Sequence, residues 1–194
     1  MIIKKEADKF VDSAVLEGMI SIRAVLRGID AGVNDRKIHQ ILYDPIKAAA
    51  RARELGYLRA VQHQYGYQIE EADSNTIAAM TLGNSHGGLI ATCSDRTLPS
   101  LQPKDIIQNG FYFMLDGIED PYNFGYAVRS IYAAGANALL LPPRNWMTAA
   151  GVVARASAGA SEMMPMYITS SNDIIHIFRQ AGYRIVCADI KNSV

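Results

Sequence analysis

The stretch FYFMLDGIEDPYNFGYAVRSIYAAG, Phe111 to Gly135, constrains the fold more than any other part of the sequence. Phe111 to Leu115 is an apolar run of strand length, and Asp116-Gly117-Ile118-Glu119-Asp120-Pro121 is an acidic turn. From Asn123 to Gly135 the apolar residues Phe124, Ala127, Val128, Ile131, Ala134 and Gly135 recur at i, i+3, i+4 and i+7, one stripe of a helix. Arg129 falls well off that stripe, roughly a third of a turn away at about 100° per residue. Asp120 and Asn123 both suit an N-cap, and Pro121 suits a first helical turn. A strand running through a polar turn into a helix places backbone N–H groups and polar side chains at a strand's carboxyl end. Open α/β sheets bind their ligands in that crevice. Pattern alone leaves two readings of the polar pair. Either Asn123 caps and Arg129 is solvated, or both face a ligand.

From Gly110 onward strand and helix signals alternate. Strands are expected at 111–115, Ala138–Leu141, Met163–Ile168 and Arg184–Ala188, and helices at 123–135, 147–158 and Asn172–Ala181. Strands separated by helices imply βαβ crossovers and a parallel sheet. The turn Pro142-Pro143-Arg144-Asn145 lies at the same carboxyl edge. The sequence given stops at Val194, just after the last expected strand.

The first half reads as a smaller α/β unit. Residues 13–28 predict a helix, with Val15, Met19, Ile22 and Leu26 on one face and Gly28 closing it. Ile38–Tyr43 predicts a strand ended by Asp44-Pro45. A helix follows over Ile46–Leu58, interrupted near Gly56. Tyr67–Glu70 predicts a strand, Ser74–Thr81 a helix capped by Ser74, and Leu89–Cys93 a strand. Ser94–Asn109 carries Pro99 and Pro103 without periodicity and reads as a linker. Domains are therefore expected at 1–95 and 110–194, with 96–109 between them.

Nearly half of the 194 residues are hydrophobic, enough to bury a core. Lys and Arg total 19 against 19 Asp and Glu, so any nucleic-acid footprint must be local rather than carried by bulk charge. Arg23, Arg27, Arg36, Lys37, Lys47, Arg51, Arg53 and Arg59 make the first third locally basic, as phosphate contacts or as a solvated face. Cys93 and Cys187 have no CxxC or histidine partner at ligand spacing, so neither a disulfide framework nor a metal site is expected. No amino-terminal run has signal-peptide character, and none is long and apolar enough for a bilayer, so a reducing cytoplasm is expected. In the glycine-rich segment Leu82–Leu89 an esterase reading would make His86-Gly87-Gly88 an oxyanion loop, but no G-x-S-x-G elbow accompanies it, and that reading is rejected. A GxGxxG or P-loop signature is likewise missing.

Asp116, Asp120-Pro121, Asn123, Gly125, Arg129 and Gly135 together resemble the first signature motif of the SpoU family of RNA ribose 2′-O-methyltransferases, in the SPOUT (trefoil-knot) superfamily. A second segment, Arg155-Ala156-Ser157-Ala158-Gly159-Ala160-Ser161-Glu162 with Pro165, is similar to that family's SAGA..E..P segment. Residues 82–89 resemble the place where its accessory RNA-binding domain ends, although Gly87 stands where the family commonly has Gln. The fold implied is a small α/β RNA-binding domain, then the first half of a parallel-sheet α/β-knot methyltransferase domain. The activity implied is methyl transfer from S-adenosylmethionine to a ribose 2′-hydroxyl in structured RNA, leaning to ribosomal over transfer RNA, by a homodimer. Arg129 and Asn123 carry over as catalytic-face residues, and Glu162 as a supporting one. The family's later cofactor motifs, a Gly/Glu loop and a Ser-Leu-Asn loop, have no counterpart after Arg184. They are expected after Val194, so no cofactor-binding residue is assigned within the chain. The chain is thus expected to be an inactive fragment of such an enzyme. The rival reading is a non-catalytic RNA-binding protein with a decayed methyltransferase half.

Overall fold

A computed structural model describes residues 15–83, 86–143 and 149–188. The first half contains β1 (Val15–Glu17), α1 (Gly18–Asp30), β2 (Ile38–Tyr43), α2 (Ala52–Tyr65), β3 (Gln68–Glu71), α3 (Ser74–Met80) and β4 (Leu89–Cys93). Its strands form a sheet in the order β1-β4-β2-β3. β4 runs antiparallel to β1 and β2, and β3 runs parallel to β2. Helices cover both faces. Met19, Ile22, Val25 and Leu26 of α1 pack with Leu55 and Leu58 of α2 on one side, while Ile77 of α3 meets Leu42 and Ile90 on the other.

The second half contains β5 (Tyr112–Met114), α4 (Pro121–Ala133), β6 (Ala138–Leu141), α5 (Ala150–Ala156), α6 (Ala160–Met163), β7 (Met166–Ile168) and α7 (Ser171–Gln180). The sheet is wholly parallel in the order β5-β6-β7. Central β6, Ala-Leu-Leu-Leu, is buried at every residue, as a strand covered on both faces must be. Phe124, Val128 and Ile131 of α4 pack with Val153 against Leu139 and Leu141. Ile174 and Phe178 of α7 pack against Leu140 on the far face.

The two sheets are joined through α5 and α6, which pack against β1 and α1. The approach is close at Gly28 of α1, where a Cβ would fall on the backbone carbonyl of Glu162. The connecting residues take part. Leu101 is buried, its N–H donates to Ile168 O at 2.9 Å, and Ile168 N–H donates to Pro99 O at 2.9 Å. Residues 99–101 therefore pair with the outer edge of β7 at Ile168.

Several expected boundaries are corrected. Val15–Glu17 is a strand, not the start of a helix, because Glu17 is extended and Gly18 has φ +77. Gly28 lies inside α1, which runs on to Asp30. The segment after Pro45 makes two 3-10 turns, and the regular helix then passes through Gly56 and stops at Gly66, φ +73. An exposed helical Gly costs about 1 kcal/mol against Ala, and the packing of Leu55 and Leu58 outweighs it. Asp73, not Ser74, caps α3, its carboxylate accepting from Asn75 and Thr76 N–H at 2.8 and 3.0 Å. Arg184–Ala188 forms no strand. It has no ladder partner among the described residues, and Ile185 and Val186 are exposed. The expected starts at residues 13 and 147, Asn84, Ser85, Arg144 and Asn145 lie outside the described residues. So does Val194, the residue beyond which the cofactor motifs are expected.

Candidate active site

The turn from β5 into α4 sets the site. Leu115 N–H donates to Leu140 O at 3.1 Å, carrying the ladder to the strand's end, and Gly117 turns the chain with φ +79. Asp120 is the cap. Its Oδ1 accepts the Asn123 N–H at 2.7 Å, and Pro121 fills the first helical position. Asn123 therefore lies within the first turn of α4, with its side chain exposed. Arg129 is exposed six residues further on and forms no ion pair among the described residues. That spacing sets it roughly 9 Å along the axis and about 120° around the helix from Asn123. The two expected residues share a helix but not a face.

Arg129 has other neighbours. Tyr122, Tyr126 and Arg129 follow at i, i+4 and i+7 and make one exposed stripe. Tyr122 is 39% and Tyr126 56% exposed. At the foot of the stripe Arg155, from the second motif, donates to Tyr122 Oη at 3.3 Å and to Glu17 Oε2 at 2.8 Å. Glu17 Oε1 in turn accepts the Leu82 N–H at 2.9 Å. Both motifs and the first sheet thus meet at Arg155. The Tyr-Tyr-Arg spacing stands in the sequence, but the stronger apolar stripe of the same helix obscures it. α4 also needs Gly125 buried, since a Cβ there would press on Ala156 of the second motif.

Glu162 is placed elsewhere. It is buried, and its carboxylate accepts from Arg36 Nε at 2.9 Å and Asn34 Nδ2 at 2.7 Å. Arg36 is itself buried and also donates to Ser94 O at 2.7 Å. Beside it Arg96, also buried, donates to Met164 O at 2.9 Å, Val33 O at 2.6 Å and Ser161 O. The carboxylate is committed to a polar clamp between the first half and α6 and is not directed at Asn123 or Arg129.

His86 is buried, with Nδ1 accepting the Gly88 N–H at 3.0 Å. Burial lowers its pKa below the ordinary value, although Glu17 opposes the shift. The neutral ring is a loop strut. Of the basic residues in the first third, Arg36 is withdrawn from the surface, Arg51 pairs with Glu54 at 2.8 Å, and Arg23 and Arg59 lie over Tyr57 and Tyr43 at 5.3 and 5.7 Å. Among the described residues no cluster of His, Cys, Asp or Glu is arranged to hold a metal, and no helix is long and apolar enough to cross a membrane.

Clefts lie between α1 and the Ala158 turn, between Gly32–Asp35 and Pro165–Tyr167, and beside Arg59–Gln68. None of these three is lined by the carboxyl ends of β5 or β6. The small cavity behind Phe124 measures about 20 Å³, too small for a nucleoside.

A putative TrmH family tRNA/rRNA methyltransferase of Staphylococcus saprophyticus is 36% identical over 81 residues, 41% of this chain and 32% of that protein. The 23S rRNA (guanosine-2′-O-)-methyltransferase RlmB of Neisseria meningitidis is 27% identical over 143 residues, 72% of this chain and 55% of that protein. The chain thus spans about a third of the first relative and just over half of the second. The rRNA methyltransferase structure from Sinorhizobium meliloti superposes with TM-score 0.69 at 22% identity, covering 100% of this chain and 71% of that one. Its AdoMet-bound form gives 0.67 at 23% identity, covering 93% and 63%. Residues 110–194, which hold both motifs and the parallel sheet, match the model of the SpoU rRNA Methylase family.

Proposed function

We propose that this chain is part of an S-adenosylmethionine-dependent enzyme that methylates a ribose 2′-hydroxyl in structured RNA, ribosomal in preference to transfer RNA. The observation that carries the reading is Arg129, held outward on a helix capped by Asp120 at the carboxyl end of a parallel sheet. A hydroxyl is a poor nucleophile until it is polarised or deprotonated. A guanidinium is a poor general base, so the role of Arg129 is to orient the ribose and its phosphate through paired N–H donors. Asn123 steadies the turn and meets the substrate from the next face. Glu162 is a positioning residue, acting through the clamp that fixes α6 beneath α4.

S-adenosylmethionine supplies the methyl group. The family's cofactor loops have no counterpart after Arg184, and this chain by itself is proposed to be inactive. The first half, residues 1–95, is the accessory RNA-binding unit, and the working enzyme is a cytoplasmic homodimer. The test is Arg129→Ala in the product of the complete reading frame. Turnover is lost, while cofactor affinity by calorimetry changes less than about threefold. Retained turnover removes Arg129 from the reaction.

A further inference from the structure

We infer that the cleft between α1 and the Ala158 turn is a groove for an unstacked RNA strand, an inference that rests on the RNA-methyltransferase reading above. The cleft encloses about 220 Å³ and takes one wall from each half of the chain. From α1 come Ile20, Arg23 and Arg27, one outward face of a helix whose other side is buried in the first core. From the second motif come Ala158, held at φ +52, and Met163.

Its chemistry matches a nucleotide strand. Arg23 and Arg27 stand one turn apart, a spacing suited to successive phosphate contacts. Glu54 also lines the cleft, but Arg51 holds its carboxylate at 2.8 and 3.0 Å and neutralises it, so the cationic character prevails. The Arg23 guanidinium lies 5.3 Å over the ring of Tyr57, which is 38% exposed, and Arg53 precedes Tyr57 by one turn of α2. An exposed aromatic ring beside arginines is a stacking platform for an unpaired base. Ile20, 67% exposed, adds an apolar surface that phosphate binding alone does not need. A strand seated there touches the first half and the second motif together, across the junction that the Glu162 clamp fixes.

The test is fluorescence anisotropy of the wild-type chain with a fluorescein-labelled RNA hairpin carrying a single-stranded loop, at about 50 to 200 mM KCl. The double variant R23Q/R27Q should weaken binding at least about tenfold. It should also flatten the log–log salt dependence by roughly 0.7 for each lost phosphate contact. Tyr57→Ala should cost about tenfold with the salt slope unchanged. Arg27→Gln alone, at an exposed position, gives about half the slope change and guards against a folding defect in the double variant. Lys104→Gln, in the exposed connecting segment, should bind as wild type. Wild-type affinity and slope in R23Q/R27Q would overturn the groove and leave the enzyme reading intact. No hairpin binding by the wild-type chain at 50 mM KCl would overturn the groove and the RNA-binding role of the first half, while the enzyme reading is tested separately by turnover of the complete product. Binding of a labelled hexaglutamate peptide that R23Q/R27Q abolishes, with hairpin binding unaffected, would overturn RNA as the occupant.

Discussion

Glu162→Ala breaks the clamp between the halves, and its cost follows from the geometry. Arg36 and Glu162 side chains are 0% and 3% exposed, and the carboxylate accepts from Arg36 Nε at 2.9 Å, Arg36 Nη2 at 3.4 Å and Asn34 at 2.7 Å. Removing one partner of a buried pair leaves the other charge uncompensated, which costs about 3–5 kcal/mol. The Asn34 amide keeps its bond to Glu162 O at 3.1 Å, so the guanidinium dominates the loss. In a chain of this size each kcal/mol moves the melting midpoint by about 2–4 °C, so the variant should melt about 6 to 20 °C lower. The assay is urea denaturation followed by circular dichroism, with the double variant R36M/E162L alongside. Replacing a buried pair by apolar groups of similar volume is often neutral or better, so the double variant should recover most of the loss. A Glu162→Ala stability within about 1 kcal/mol of wild type would refute the clamp, as would a double variant no better than the single.

Gly28→Ala sets a methyl against the carbonyl of Glu162 and should cost about 1–3 kcal/mol by thermal melting; an unchanged midpoint would contradict the close approach. Burial pushes the Cys93 thiol up to about 12, while Cys187 is exposed, so a native thiol titration should find one fast-reacting group and a second only after unfolding. The folded pKa of His86 lies below its ordinary 6.5, so as pH falls through that value the unfolded chain takes up the proton first. Its stability contribution is present above that value and lost below it. Measured from pH 7.5 to 5.5, wild type should therefore lose stability relative to His86→Gln, and a constant gap would refute the buried neutral ring.

Much of the second half was legible because its signals are local. The 3.6-residue period of α4, the apolar β6 and the acidic turn between β5 and α4 each fit within a few residues, and the structure follows them closely. What escaped reading depends on partners distant in sequence. β1 is three residues long and exists because Val15–Glu17 pairs with Ile90–Thr92. Arg184–Ala188 has apolar residues suited to a strand but no neighbour to pair with among the described residues. The Glu162 clamp joins residues 126 apart, which no local pattern encodes. Its trace in the sequence is a lone charge amid the small and apolar residues of Ala156–Met166. Arg96, set in a segment read as linker, escaped for the same reason.

The proposed chemistry is tested most directly by the product of methyl transfer. The product of the complete reading frame, and separately the 194-residue chain, would be incubated with radiolabelled S-adenosylmethionine and unmodified ribosomal RNA. The RNA is then digested to nucleosides and resolved by mass spectrometry. The account predicts label in a 2′-O-methylnucleoside for the complete product, none for its Arg129→Ala variant, and none for the 194-residue chain. Label on a base, or none from the complete product on ribosomal or transfer RNA, would contradict it.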